Sequence, residues 1–208
     1  MSVQTSYRTL AEQVEAEVEI RRSRFLALLA PVADEQEARD VIARRRADHP
    51  KARHHCTAFV LDPDSRTRRF SDDGEPAGTA GAPILDVLVG HGLTYALAVV
   101  TRYFGGTLLG AGGLVRAYGD ATSQAVAAAR IVTRSQRIPV TVTVDYALAA
   151  AIDRMAHAAG WTTESQYGAE VVVTLRIPPA ELDAGLRGLA DVSGGSADPA
   201  IGEPVWSA

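Results

Sequence analysis

A single cysteine, Cys56, stands among 208 residues. No intramolecular disulfide can form, which suits a reducing compartment. Aromatic residues are scarce at 6%, leaving few rings on which a broad surface could stack bases. No apolar run approaches the roughly 18 residues of a helical membrane span. Residues 1–10 contain Arg8 but no apolar stretch able to act as a signal peptide. A cytoplasmic setting without a membrane partner is therefore expected. An excess of positive charge is missing too: 21 Lys and Arg face 25 Asp and Glu, a net charge of −4. The global balance argues against tight non-specific binding to nucleic acid, although a local basic patch stays open. There is no GxGxxG, no Lys to complete GxxxxGK[ST], no EF-hand spacing and no second cysteine cluster for zinc. No internal repeat or low-complexity tract is present.

What remains is an ordinary globular composition, 47% hydrophobic and 22% charged, with enough apolar residues for a core that needs no staple. Residues 14–20 alternate apolar and acidic, which predicts a half-buried strand, and the apolar run 25–31 is its expected partner. Asp34 is placed to cap a helix running to about Asp48, with Glu35 and Glu37 in its first turn and Arg44, Arg45 and Arg46 near its end. That order suits the helix dipole, and Pro50 stops the helix. Strands are expected at 56–61, 67–70 and 95–103, and helices at 83–90 and 114–130. From Ile138 the texture changes to strand 138–144, helix 148–159, strands 161–166 and 170–177, helix 179–189 and a last strand near Ser196. This is a β-α-β-β-α-β order of the ferredoxin-like kind. The expectation is an α+β chain of two domains, 1–133 and 138–208, joined near residues 133–137.

Three segments carry residue types able to do chemistry. Gly105, Gly106, Gly110, Gly112 and Gly113 lie between an apolar strand and a helix, where freed backbone N–H groups and a helix N-terminus favour an anion. Arg102 and Arg116 flank them and could converge on that anion. The alternative is that these glycines only permit tight turns and close packing. Asp72, Asp73 and Glu75, held between Gly and Pro residues, could ligate a divalent metal or act as a general base, or form a solvated turn. The two loops, 71–81 and 105–113, are expected to lie against each other, the second giving hydrogen-bond donors to the first. In Arg53-His54-His55-Cys56, strand alternation keeps the last three side chains from sharing one face. Cys56 is expected in the core, one histidine is expected to face the cleft, and Arg44 to Arg46 read as a solvated helix end.

The acidic loop from Ser71 to Gly81, together with Arg102-Tyr103-Phe104-Gly105-Gly106 and Leu109-Gly110-Ala111-Gly112-Gly113-Leu114-Val115-Arg116-Ala117-Tyr118-Gly119, resembles the IMPACT family in its bacterial YigZ branch. Ser23-Arg24-Phe25 and Ala52-Arg53-His54-His55-Cys56 add to the resemblance, which spans nearly the whole chain. It implies a first domain folded like the βαβ domains of ribosomal proteins and elongation factors. It implies a second domain similar to a ferredoxin-like domain of translational GTPases. The family signature falls here on Ser23, Phe25, His54, Asp72, Asp73, Glu75, Arg102, Tyr103, Gly106, Gly110, Gly113, Arg116 and Tyr118. Leu108 stands where some relatives have Lys, which weakens phosphate affinity in that loop. The implied role is translation-associated, with RNA, a ribosome-associated protein or a small anionic ligand held in a glycine-rich cleft. The rival reading is a hydrolase or phosphoryl-handling enzyme using the acidic loop with His54 and two arginines. No cofactor or metal is expected, and no catalytic residue is assigned.

Overall fold

The computed structural model describes residues 4–207, and the chain divides into two compact units, 1–133 and 134–208. In the first, β1 (Ser6–Leu10), β2 (Val14–Ile20) and β3 (Ser23–Pro31) precede α1 (Glu35–Asp48). Then follow β4 (His54–Leu61), β5 (Thr67–Ser71), α2 (Gly81–Gly90), β6 (Ala96–Tyr103) and α3 (Ala111–Ala128). The sheet has the order β2-β3-β6-β4-β5, with every neighbouring pair antiparallel. The α1 crossover joins β3 to β4 around the central β6, a split βαβ arrangement.

Both faces of this sheet are covered, which is why β6 reads as a continuous apolar run rather than an alternating one. Ala96, Ala98 and Val100 join the cluster that holds Ile84 and Leu88 of α2 and Leu114, Tyr118 and Val126 of α3. Leu97 and Val99 join Ala38 and Val41 of α1 on the other face. At the β2 edge one face suffices: Val14, Ala16, Val18 and Ile20 rest on the first cluster, while Glu15, Glu17 and Glu19 are exposed. The α1 cap is built as its sequence predicts, with Asp34 Oδ1 accepting from the Glu37 N–H at 2.8 Å.

In the second unit the sheet pairs β7 (Ile131–Val144), β9 (Val171–Ile177) and β8 (Thr162–Tyr167) in that order. Val140 faces Leu175, Val142 faces Val173 and Val144 faces Val171. The two-residue β10 (Ala200–Ile201) takes the other edge of β7 at Thr141 and Val140, and β11 (Val205–Ser207) pairs with residues 135–137. The valines form one buried core with Ala149, Ile152 and Ala156 of α4 (Tyr146–Ala158) and Leu189 of α5 (Leu182–Ser193). The chain is thus an α+β protein with two antiparallel sheets.

Several expectations need correction. The strand β1 is not among the expected elements; its five residues, mostly polar with only Thr9 and Leu10 buried, carry no clear period. The division between the units falls at 133/134, within the range expected for the boundary, and the residues there are part of strand β7. The final strand lies past Ser196. The last helix of the first unit starts at Ala111, not Leu114, because Gly110 takes the N-cap position with φ 71°. That places Gly112 and Gly113 inside the helix.

Candidate functional site

The acidic loop is tied down carboxylate by carboxylate. The N-cap residue of α2, Ala80, has no side chain able to cap, and Asp72 performs that task from eight positions upstream. Its Oδ1 accepts from the N–H groups of Ala80 at 3.0 Å and Gly81 at 2.8 Å, and its Oδ2 accepts from Gly78 at 2.8 Å. Burial pushes the Asp72 carboxyl up, but these three donors outweigh it and hold it below its ordinary value. Asp73 Oδ2 accepts from the His55 N–H and its Oδ1 from Arg46, each at 2.6 Å. Here too burial pushes upward, and Arg46 and the His55 N–H bring the net shift below the usual range.

Glu75 is the buried member. Its Oε1 accepts from Arg102 Nη1 at 2.7 Å and from the Tyr118 hydroxyl at 2.8 Å. The Cys56 thiol, fully buried, has the Tyr118 oxygen at 3.3 Å and the Asp72 carbonyl at 3.0 Å as acceptors. Burial pushes this thiol up to about 12, so it stays protonated and inert. Arg102 lies between two rings, 5.4 Å from the Phe25 centroid and 5.6 Å from that of Phe104. Its Nε is buried with no hydrogen-bond partner.

The carboxylates therefore find their donors in their own loop, on α1 and β4, on β6 and on α3. The expectation that the glycine loop supplies them is corrected. That loop instead turns to the β2–β3 hairpin. Gly105 donates to Ser23 Oγ at 3.1 Å, and a Cβ on Gly105 would lie 2.0 Å from the Arg22 carbonyl carbon. Arg116 is exposed and lines a recess of about 240 Å³ with Ile20, Leu109, Gly113 and Asp120, among others. Arg102 lines a different one, so the two arginines share neither recess. Gly106, Gly110 and Gly112 line neither. Arg44 to Arg46 are not a uniformly solvated helix end: Arg45 is 5% exposed and paired with Glu15, and Arg46 holds Asp73.

The recess beside Arg102 measures about 430 Å³ and is lined by Lys51, Arg53, His54, Arg102, Tyr103 and Phe104. It sits where β4 begins and β6 ends, since His54 pairs with Arg102 in the sheet register. Of the residues singled out from sequence, His54, Arg102 and Tyr103 come together here. Lys51 and Phe104 were missed, as was the importance of Arg53. A lone Lys in a turn and a Phe at a strand exit carry no period, though Phe104, 53% exposed, adjoins the Arg102-Tyr103 pair. Tyr103 is held by a hydrogen bond between its hydroxyl and His49 Nδ1 at 3.0 Å. No carboxylate stands in the wall. Among the described residues no group of three or more His, Cys, Asp or Glu side chains is arranged to hold a metal ion.

Residues 21–126 match the Impact N-terminal domain, and residues 142–196 match a Domain of unknown function (DUF1949). The chain is 41% identical over 184 residues to the IMPACT family member YigZ of Escherichia coli, covering 86% of this chain and 89% of that protein. It is 36% identical over 202 residues to the IMPACT family member YvyE of Bacillus subtilis, covering 97% and 93%. A crystal structure of a hypothetical protein, 37% identical, superposes with a TM-score of 0.65 over 97% of this chain and 99% of that one.

Proposed function

The chain belongs to the IMPACT family, and from that premise we propose that it is an RNA-binding protein whose site is the basic recess at the start of β4. The observation that carries this reading is the wall of that recess. Lys51 and Arg53 supply charge for phosphate, Phe104 and Tyr103 supply ring faces for an unpaired base, and no carboxylate opposes them. Charge-assisted contacts to phosphate are among the stronger hydrogen bonds, and a pocket of this size falls within the range that holds small ligands. Arg102 adds no net charge, because it is buried and paired with Glu75. A net charge of −4 then confines binding to this patch instead of spreading it over the surface. Translation is the setting that the family resemblance implies, with single-stranded stretches of ribosomal or transfer RNA as fitting targets.

On the same reading, the second unit is a ferredoxin-like domain: its edge order β10-β7-β9-β8 is that of the split βαβ motif. The first unit is of the ribosomal-protein and elongation-factor kind. The enzymatic alternative draws less support, because Asp72 and Asp73 spend both carboxylate oxygens on partners within the fold and Glu75 is buried with its Oε1 held by Arg102 and Tyr118.

Fluorescence anisotropy with a labelled single-stranded RNA tests the proposal. Phe104→Ala is expected to weaken binding about five- to a hundredfold, the worth of one stacked base. An RNA affinity unmoved by Phe104→Ala, or no binding at all, would overturn it.

A further inference from the structure

Within the recess, one group differs in kind from the rest. His54 Nδ1 lies 2.9 Å from the backbone carbonyl oxygen of Asp73. A carbonyl oxygen only accepts, so Nδ1 carries the proton, and in the neutral ring Nε2 is left as a bare acceptor. The carbonyl that sets this tautomer is itself anchored, because the Asp73 carboxylate is gripped by the His55 N–H and by Arg46. Among the described residues Nε2 has no hydrogen-bond partner. The charged side chains that line the recess with it, Lys51 and Arg53, are donors. The Tyr103 hydroxyl is engaged by His49.

A recess with several donors and one acceptor asks for a ligand with several acceptors and one donor close to them. A deoxyribose-phosphate backbone has acceptors only. A ribose-phosphate backbone has the same acceptors and one donor, the 2′-hydroxyl, which is the group that separates RNA from DNA. Resting on the reading of this recess as an RNA site, we infer that His54 Nε2 accepts a hydrogen bond from the 2′-hydroxyl of the nucleotide whose phosphate meets Lys51 and Arg53. His54 is thereby a specificity-determining residue that selects ribose over deoxyribose.

The test compares three dodecamers of the same base on the full chain: oligouridine, oligodeoxyuridine and 2′-O-methyl oligouridine. The methylated strand keeps an oxygen at the 2′ position but cannot donate from it. Wild-type protein is expected to bind the ribo strand about two- to tenfold more tightly than either other strand, the worth of one net hydrogen bond. His54→Asn keeps an amide N–H near the place of Nδ1, so the bond to the Asp73 carbonyl survives, while its acceptor Oδ1 falls near the place of Cδ2, short of the position that Nε2 holds in the wild type. In that variant the three strands are expected to bind alike, at the wild-type affinity for the deoxy strand. Equal binding of ribo and deoxy strands by the wild type would overturn this inference and leave the RNA-site reading standing. So would a methylated strand that binds like the ribo strand, or a preference that persists in His54→Asn. Failure of all three strands to bind would overturn both.

Discussion

Glu75 and Arg102 are 4% and 7% exposed; they pair with each other, Glu75 also accepts from Tyr118, and Arg102 lies beside the Phe25 and Phe104 rings. Removing one member of such a pair strands the second charge in a low-dielectric site, at a cost of about 3–5 kcal/mol. Glu75→Ala is accordingly expected to lower unfolding free energy by that amount in urea titrations. Arg116→Ala should stay within about 0.5 kcal/mol of wild type, because Arg116 is exposed and has no partner among the described residues. Equal losses at the two positions would show that the buried pair has been misassigned. The sequence marks both arginines as candidates, being polar residues at the two ends of one glycine-rich stretch. Which of them is buried depends on the sheet register that sets Arg102 opposite His54, and no local pattern encodes that.

Titration follows from the same scale. Asp72 and Asp73 are held below their ordinary values in the folded chain, and His49 and His55 are lowered as well, in both histidines by burial first and neighbouring arginines second. A group whose folded pKa is depressed binds protons better when unfolded. Its stabilisation is complete above the unfolded value and is lost as pH falls through the folded one. The two histidines should begin to cost stability below about pH 6.5, and the two aspartates below about pH 3.9. Melting temperatures measured from pH 8 to pH 3 are expected to fall in that order, with Asp73→Asn shrinking the acid limb. A melting temperature that rises on acidification would contradict these assignments.

Among the elements, α3 shows how one residue type serves opposite needs. Gly105, just before the helix, sits where any Cβ would overlap the Arg22 backbone, whereas Gly112 inside the first turn has open space around its Cα. Gly105→Ala should therefore destabilise by at least the 1–3 kcal/mol typical of forced overpacking. Gly112→Ala should stabilise by up to about 1 kcal/mol, the difference in helix propensity. Thermal unfolding of the two variants separates them, and a destabilised Gly112→Ala would mean that the helix start is misplaced. Most elements were legible from period and punctuation: the alternation in β2, the Asp34 cap of α1, the apolar run of β6 and the valine strands of the second unit. The start of α3 was not, because glycines at 110, 112 and 113 read as loop while Gly110 alone provides the positive φ at the cap. The recess was half legible. His54, Arg102 and Tyr103 stand in readable motifs, whereas Lys51 and Phe104 reach it only through the pairing of β4 with β6.

For the molecule as a whole, the first unit's five-stranded sheet brings two segments about fifty residues apart to one edge of the fold and leaves a cationic, ring-bearing recess there, against an acidic background. If Lys51 and Arg53 each meet a phosphate, binding must release counterions in proportion. For a single strand the slope of log affinity against log salt is about −0.7 per phosphate neutralised. The most direct measurement is that slope, taken by anisotropy with an oligouridine dodecamer between 50 and 300 mM salt, for wild type and for the Lys51→Ala, Arg53→Ala double variant. The expected result is a slope shallower by about 1.4 in the double variant, with an unchanged melting temperature. A slope identical to wild type, or a wild-type chain that does not bind the strand, would contradict the recess as the place where RNA is held.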